Sequence, residues 1–196
     1  MMLEAHNIDI LKVRLATLLY ERSYMEGDFT LASGLKSDYY FDCRQSSLNP
    51  GGAWLIGSIF LHMLKATGAK AVAGMTMGAD PLVTATSLLA YHNDIYLPAL
   101  IVRKQAKDHG AGRQVEGLAN VNPGDGVVVL EDVVSTGGSV LKACKAVEEA
   151  GLKVLSVFCI LDREESGGAE AFTRAGYTLH SIFTRKELVT LARQLA

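Results

Sequence analysis

Val127-Val-Val-Leu-Glu-Asp-Val-Val-Ser-Thr-Gly-Gly-Ser139 decides the fold of this chain. Four apolar residues run into two carboxylates. A small turn rich in hydroxyls and glycine follows, and then a helical stripe of Val140, Leu141, Cys144 and Val147. The apolar run reads as a buried strand, Val127–Leu130, and the turn leaves backbone N–H groups free at a helix start. Glu131 and Asp132 at the strand end are acceptors suited to a vicinal diol. Ser135, Thr136, Gly137, Gly138 and Ser139 can wrap a phosphate with N–H groups, hydroxyls and the helix dipole. The plainer alternative is a capped turn beside a surface acidic pair. The position directly after an apolar strand favours the functional reading, a phosphorylated sugar as ligand.

The same rhythm extends in both directions. Ala71–Gly74 reads as a strand, Asp80-Pro81 opens a helix through about Ala90, and Leu97–Val102 is the next strand. After Gly151 come a strand Val154–Ile160, a short helix Ala169–Ala175, a strand Tyr177–Phe183 and a closing helix Arg185–Leu195. Upstream, Ile8, Leu11, Leu15, Leu18 and Leu19 form a helical stripe. Residues 27–49 read as irregular, with a short strand at Tyr39–Asp42. Asn49-Pro50 reads as a cap with proline at the first helical position, and Gly68 as that helix's stop. Strands alternating with helices predict an α/β fold, a parallel sheet covered on both faces, with ligands beyond the carboxyl ends of the strands.

Composition narrows the function. The chain has 196 residues, 49% of them hydrophobic, and a net charge of −2, so one domain with a full core is expected and no basic field argues for nucleic acid. Cys43, Cys144 and Cys159 match neither a metal pattern nor a disulfide framework and read as free thiols of a reducing compartment. The first residues lack a secretory pattern and no apolar run is long enough for a bilayer, so a soluble cytoplasmic protein without a membrane role is expected.

Four further segments carry chemistry. Arg103-Lys-Gln-Ala-Lys-Asp-His-Gly110 concentrates Arg103, Lys104, Lys107 and His109, followed by Gly112, Arg113 and Gly117. It reads as one long polar loop to about Pro123, suited to a polyanion and to movement as an active-site lid, against the plainer reading of a solvated basic loop. Gly74-Met-Thr-Met-Gly-Ala-Asp-Pro81 is either a second phosphate loop or an ordinary strand–helix connection. Arg163, at a strand end, can clamp a carboxylate or pair with a neighbouring acid. In Ser33–Asp42, Lys36 can meet an anion, while Tyr39 and Phe41 stack on a base or simply pack. His6, His62, His92 and His180 share no ligand spacing, and no nucleophile elbow, Walker A sequence or dinucleotide motif occurs.

Taken together, these segments resemble the type I phosphoribosyltransferases. Val127–Ser139 is similar to their phosphoribosyl pyrophosphate motif. Within that group, Arg103–Gly110 resembles the mobile loop of orotate phosphoribosyltransferases, Phe29-Thr-Leu-Ala-Ser-Gly34 with Lys36-Ser37 their N-terminal motif, and Leu161-Asp-Arg163 their orotate-carboxylate region. The resemblance implies one domain over 1–196. A small N-terminal hood (about 1–48, with the C-terminal helix) would sit on a core of about 50–183. It implies transfer of a phosphoribosyl group to orotate in UMP synthesis, with Mg²⁺ carried by the pyrophosphate and a homodimer with shared active sites. By the same resemblance, Glu131 and Asp132 hold the ribose hydroxyls. Val133 and Val134 belong to the same substrate-binding segment, and Ser135–Ser139 bind the 5-phosphate. Arg103, Lys104, Lys107 and His109 contact pyrophosphate, with Lys107 and Asp132 catalytic. Ser135, Arg163 and Lys36 meet orotate. Some members carry lysine where this chain has Ala32, so that cation would come from Lys36. Some carry Tyr-Lys in place of Met77-Gly78, which leaves backbone contacts there. The alternatives are transfer to another base and a sensor of phosphoribosyl pyrophosphate.

Overall fold

The computed structural model describes residues 7–30, 36–105, 114–164 and 167–194. Its chain order is α1 (Ile8–Ser23), β1 (Tyr24–Thr30), β2 (Lys36–Phe41), α2 (Arg44–Ser47), α3 (Pro50–Leu64), β3 (Ala71–Met75), α4 (Asp80–Tyr91), β4 (Ala99–Val102), β5 (Val115–Glu116), a 3-10 turn (Leu118–Asn120), β6 (Gly126–Val134), α5 (Gly138–Glu149), β7 (Lys153–Asp162), α6 (Gly168–Ala175), β8 (Leu179–Thr184) and α7 (Arg185–Arg193).

The main sheet has the order β5-β4-β3-β6-β7-β8, parallel except for β5, which pairs antiparallel with β4. Successive residues of β6 point to opposite faces. Val128 and Leu130 join Leu15, Ile56, Phe60, Leu82 and Leu188 under α1, α3, α4 and α7. Val127 and Val129 join Val140, Cys144, Val147 and Phe172 under α5 and α6. A strand covered on both sides has no polar face, which is why this one reads as an unbroken apolar run. From β4 the chain returns across β3 to start β6. The reversal lies between the carboxyl ends of β3 and β6, where open parallel sheets hold their ligands.

The Asn49 cap is present: its side chain accepts from the N–H groups of Gly51 and Gly52 at 3.0 and 3.2 Å, with Pro50 in the first turn. That helix stops at Leu64, four residues before Gly68. Three expectations need correction. The segment read as irregular is an antiparallel hairpin, β1 against β2. Only Tyr39 and Phe41 are buried on β2, so the segment shows little apolar alternation. The loop after Val102 contains β5 and the 3-10 turn, each too short to leave a periodic signal. The strand at the central motif runs on to Val134. Glu131 and Asp132 therefore sit inside its last turn of pairing with β7 rather than in the following loop.

Candidate active site

β6 delivers its two carboxylates to different sides of the sheet edge. By strand alternation Glu131 falls on the α5 side, where Ser139 Oγ donates to its Oε2 at 3.5 Å and the Asp132 N–H to its Oε1 at 3.2 Å. Glu131 is only 5% exposed. Burial, and next the negative charge of Asp132, push its pKa well above the ordinary carboxylate range. Asp132 faces the β3–α4 loop, and the Val133 N–H donates to its Oδ1 at 2.7 Å. A Cβ at Gly78 would lie 2.8 Å from Asp132 Oδ2, so only glycine lets the loop backbone come this close to the carboxylate.

The turn from Ser135 to Ser139 joins β6 to α5. Gly137 is the helix N-cap at φ +76°, a left-handed conformation that glycine adopts without Cβ cost. No side chain caps this end, so the first-turn N–H groups are available to an anion and add to the positive end of the helix dipole. The turn is braced from beneath. The Phe172 ring of α6 would meet a Cβ at Gly137 at 2.8 Å, and Gly168 packs directly on the Ser135 carbonyl. Val134 is buried in the core and Val133 is partly buried against it; what they present at the edge is backbone.

Between β3 and α4, the Thr76 N–H donates to the Val102 carbonyl of β4 at 2.9 Å, and Thr76 Oγ1 donates to Asp80 Oδ2 at 2.8 Å. The Thr76–Met77 peptide is cis. This loop thus spans the gap from β4 to Asp132, next to the 135–139 turn.

Arg163, at the end of β7, is tied to β6 by its N–H to the Val134 carbonyl at 3.0 Å. The residue is 7% exposed and its guanidinium meets the hairpin: Nε donates to Tyr39 Oη at 2.6 Å and Nη2 to Ser37 Oγ at 3.2 Å. Lys36 lies at the start of β2, with Nζ donating to Thr30 Oγ1 at 2.9 Å. It lines a 410 Å³ hollow with Asp28, Phe29, Ser37 and Asp38. Arg103 is at the end of β4, its Nη1 3.4 Å from Glu116 Oε1, and Lys104 follows it, exposed. Lys107, His109 and Arg113, like Ala32, lie outside the described residues.

The structure therefore gathers Glu131, Asp132, the 135–139 turn, the 76–80 loop and Arg163 at one sheet edge, with Arg103 two strands away, about 10 Å by ordinary strand spacing. Sequence reasoning took Tyr39 mainly as packing, placed Ser37 in the N-terminal motif without a role of its own, and gave Arg185 none. Tyr39 and Arg163 are 124 positions apart, and no local pattern links them. Behind the acidic pair sit Cys43 and Cys159, both fully buried. Burial first, and neighbouring carboxylates next, hold both thiols well above their usual range; Cys144 is pushed up to about 12. Such thiols are protonated and inert as nucleophiles.

An acidic pair at a parallel strand end, an uncapped glycine turn after it and a glycine-containing strand–helix loop beside it form the arrangement of a type I phosphoribosyltransferase site. The family model described as the phosphoribosyl transferase domain matches residues 56–178. The orotate phosphoribosyltransferase of Thermosynechococcus vestitus is 48% identical over 178 residues, 91% of this chain and 93% of that protein. The crystal structure of Mycobacterium tuberculosis H37Rv orotate phosphoribosyltransferase with Fe(III) dicitrate superposes with a TM-score of 0.77 at 34% identity, covering 91% of this chain and 98% of that one. The same enzyme with 5-phospho-alpha-D-ribosyl 1-diphosphate gives 0.74 at 30%, covering 91% and 99%. The chain belongs to the orotate phosphoribosyltransferase family.

Proposed function

We propose the following division of labour for the family reaction in this crevice. The chain transfers the phosphoribosyl group of phosphoribosyl pyrophosphate to orotate, giving orotidine 5′-monophosphate and pyrophosphate in pyrimidine synthesis. Positive charge develops at the anomeric carbon and negative charge on the leaving pyrophosphate. Glu131 and Asp132 accept the ribose hydroxyls and Ser135–Ser139 bind the 5-phosphate. The 76–80 loop and the cations Arg103, Lys104, Lys107 and His109 receive the pyrophosphate. Lys107 is the main loop cation and acts as the charge builds. Arg163 takes the orotate carboxylate, with Ser135 and Lys36 beside the base. The reaction needs no covalent nucleophile, in keeping with the protonated state of the buried thiols.

Among the described residues, no cluster of three or more His, Cys, Asp or Glu can cage a metal. The donors at hand, Asp132 and Glu131 beside a phosphate turn, fit a Mg²⁺ ion held chiefly by substrate phosphates, with one or two carboxylates at most. When bound, it neutralises charge on the leaving group.

We further propose a homodimer in which the Arg103–Gly117 segment serves the partner's site. Met77 (67% exposed), on the loop beside Asp132, and Leu88 (67%) and Tyr91 (75%), toward the far end of α4, are large apolar residues open on the surface, which supports a covered face along that helix. The three free, buried cysteines fit a reducing, cytoplasmic setting, and no helix among the described residues is long and apolar enough to cross a membrane.

The observation that carries the reading is the acidic pair, buried Glu131 and half-buried Asp132, feeding an uncapped glycine turn, with Arg163 fixed one strand away. Pyrophosphate release with orotate, uracil or adenine as acceptor tests it. Orotate is expected to support turnover far above the other two. Turnover of adenine with none of orotate would overturn it.

A further inference from the structure

Tyr39 is fully buried and is the meeting point of three elements that are distant in sequence. On one side the Arg163 guanidinium carbon lies 4.4 Å from its ring centroid, with Nε on the phenol oxygen at 2.6 Å. The guanidinium carbon of Arg185, from the first turn of α7, lies 3.8 Å from the same centroid. Arg185 is anchored in turn to Asp38 by Nη2 at 3.0 and 3.1 Å. The Tyr24 ring stacks on Tyr39 at 5.5 Å. A guanidinium is a planar fork whose use in recognition depends on its orientation, and a buried aromatic ring with a phenol acceptor fixes both its plane and its rotation. Two like charges on one ring repel each other, and bonds from Arg185 to Tyr24 and Asp38 offset part of that repulsion.

We infer that Tyr39 and Arg185 are positioning residues that set the affinity for orotate by fixing the Arg163 fork. The C-terminal helix is thereby part of the base-selecting apparatus. This rests on the reading of Arg163 as the orotate-carboxylate cation. The phenol oxygen holds Nε and Ser37 Oγ meets Nη2, and together they set the plane in which the fork would meet the carboxylate. The ring and Arg185 keep the fork from rotating out of it. The device acts on the base side of the crevice through Arg163, so the expected effect falls on orotate rather than on the phosphoribosyl donor.

The test uses full-length Tyr39→Phe, Arg185→Gln, Arg163→Ala and the double variant Tyr39→Phe/Arg163→Ala. KM for each substrate, kcat and thermal midpoint are measured. Tyr39→Phe keeps the ring and its volume. Its KM for orotate is expected to rise about tenfold, equivalent to about 1.4 kcal/mol, with KM for phosphoribosyl pyrophosphate within twofold of wild type. Arg185→Gln is expected to move the same constant in the same direction. The double variant should be no worse than Arg163→Ala alone, because the phenol acts only through Arg163. If Arg163→Ala raises the orotate KM but Tyr39→Phe does not, the positioning role fails and the reading of Arg163 stands. If Arg163→Ala itself leaves the orotate KM unchanged, both fail. A loss spread equally over both substrates would mark a merely structural role and also overturn the inference.

Discussion

Helix α5 carries glycine at both ends in nearly the same backbone conformation, Gly137 at φ +76° and Gly151 at φ +83°, and the two ends allow a controlled experiment. A Cβ at Gly151 meets nothing within 4 Å, whereas one at Gly137 lands 2.8 and 3.0 Å from the Phe172 ring. Gly151→Ala therefore carries the left-handed cost alone, about 1 kcal/mol. Gly137→Ala carries that cost plus overpacking against a buried ring, about 1–3 kcal/mol more. Any gain from a stiffer unfolded chain is common to both and cancels in the comparison. For a chain of this size each kcal/mol moves the thermal midpoint by about 2–4 °C. The expected drops are therefore about 2–4 °C for Gly151→Ala and roughly 4–16 °C for Gly137→Ala. Donor binding separates the two further. Gly137 sits in the turn proposed to bind the 5-phosphate, while Gly151 lies beyond the far end of a 12-residue helix, about 18 Å away. Calorimetric titration with phosphoribosyl pyrophosphate should show weakened binding for Gly137→Ala and wild-type binding for Gly151→Ala. Equal drops in midpoint, or equal donor affinity, would refute the claim that Phe172 braces the turn. Phe172→Leu in the Gly137→Ala background should recover part of the loss.

Glu131 makes stability pH-dependent. Its carboxyl is raised well above 4.5 by burial and by Asp132, so the folded state holds a proton that the unfolded state releases. That contribution is complete below the ordinary carboxylate range and is lost as pH rises through the folded value. Glu131→Gln should therefore melt higher than wild type above about pH 5, with a gap that widens as pH rises, while binding the donor more weakly; a gap that narrows with pH would contradict this. Lys107→Ala should lower turnover on the order of 10²-fold with little change in orotate binding, and a near-normal turnover number would remove its role. Thr184 and Glu187 form a reciprocal cap on α7. Thr184→Ala should cost about 1 kcal/mol, or about 2–4 °C in midpoint, and an unchanged midpoint would mean the cap adds nothing.

What the sequence made legible was whatever depends on local periodicity or local chemistry. A strand covered on both faces announces itself as Val127–Leu130. A proline after asparagine announces α3, and glycines after carboxylates announce the uncapped turn before α5. The extension of β6 through Glu131 and Asp132 was hidden because charged residues end an apolar run even when backbone pairing with β7 continues. The β1–β2 hairpin was hidden because it is mostly exposed, and the burial of Tyr39 depends on residues far along the chain. Arg163 was visible as a lone arginine at a strand end. Its clamp was not, because Ser37, Tyr39 and Arg185 reach it only through tertiary packing. Likewise, nothing in Met77-Gly78 reveals that Gly78 abuts Asp132; that follows from β3 and β6 being sheet neighbours.

Transfer of a phosphoribosyl group onto orotate in this crevice is followed by orotate absorbance after the chain is mixed with orotate, phosphoribosyl pyrophosphate and Mg²⁺. Absorbance is expected to fall in step with pyrophosphate release and to recover when excess pyrophosphate is added to the nucleotide formed. A flat trace with orotate, under conditions where the same preparation turns over a purine, would contradict it.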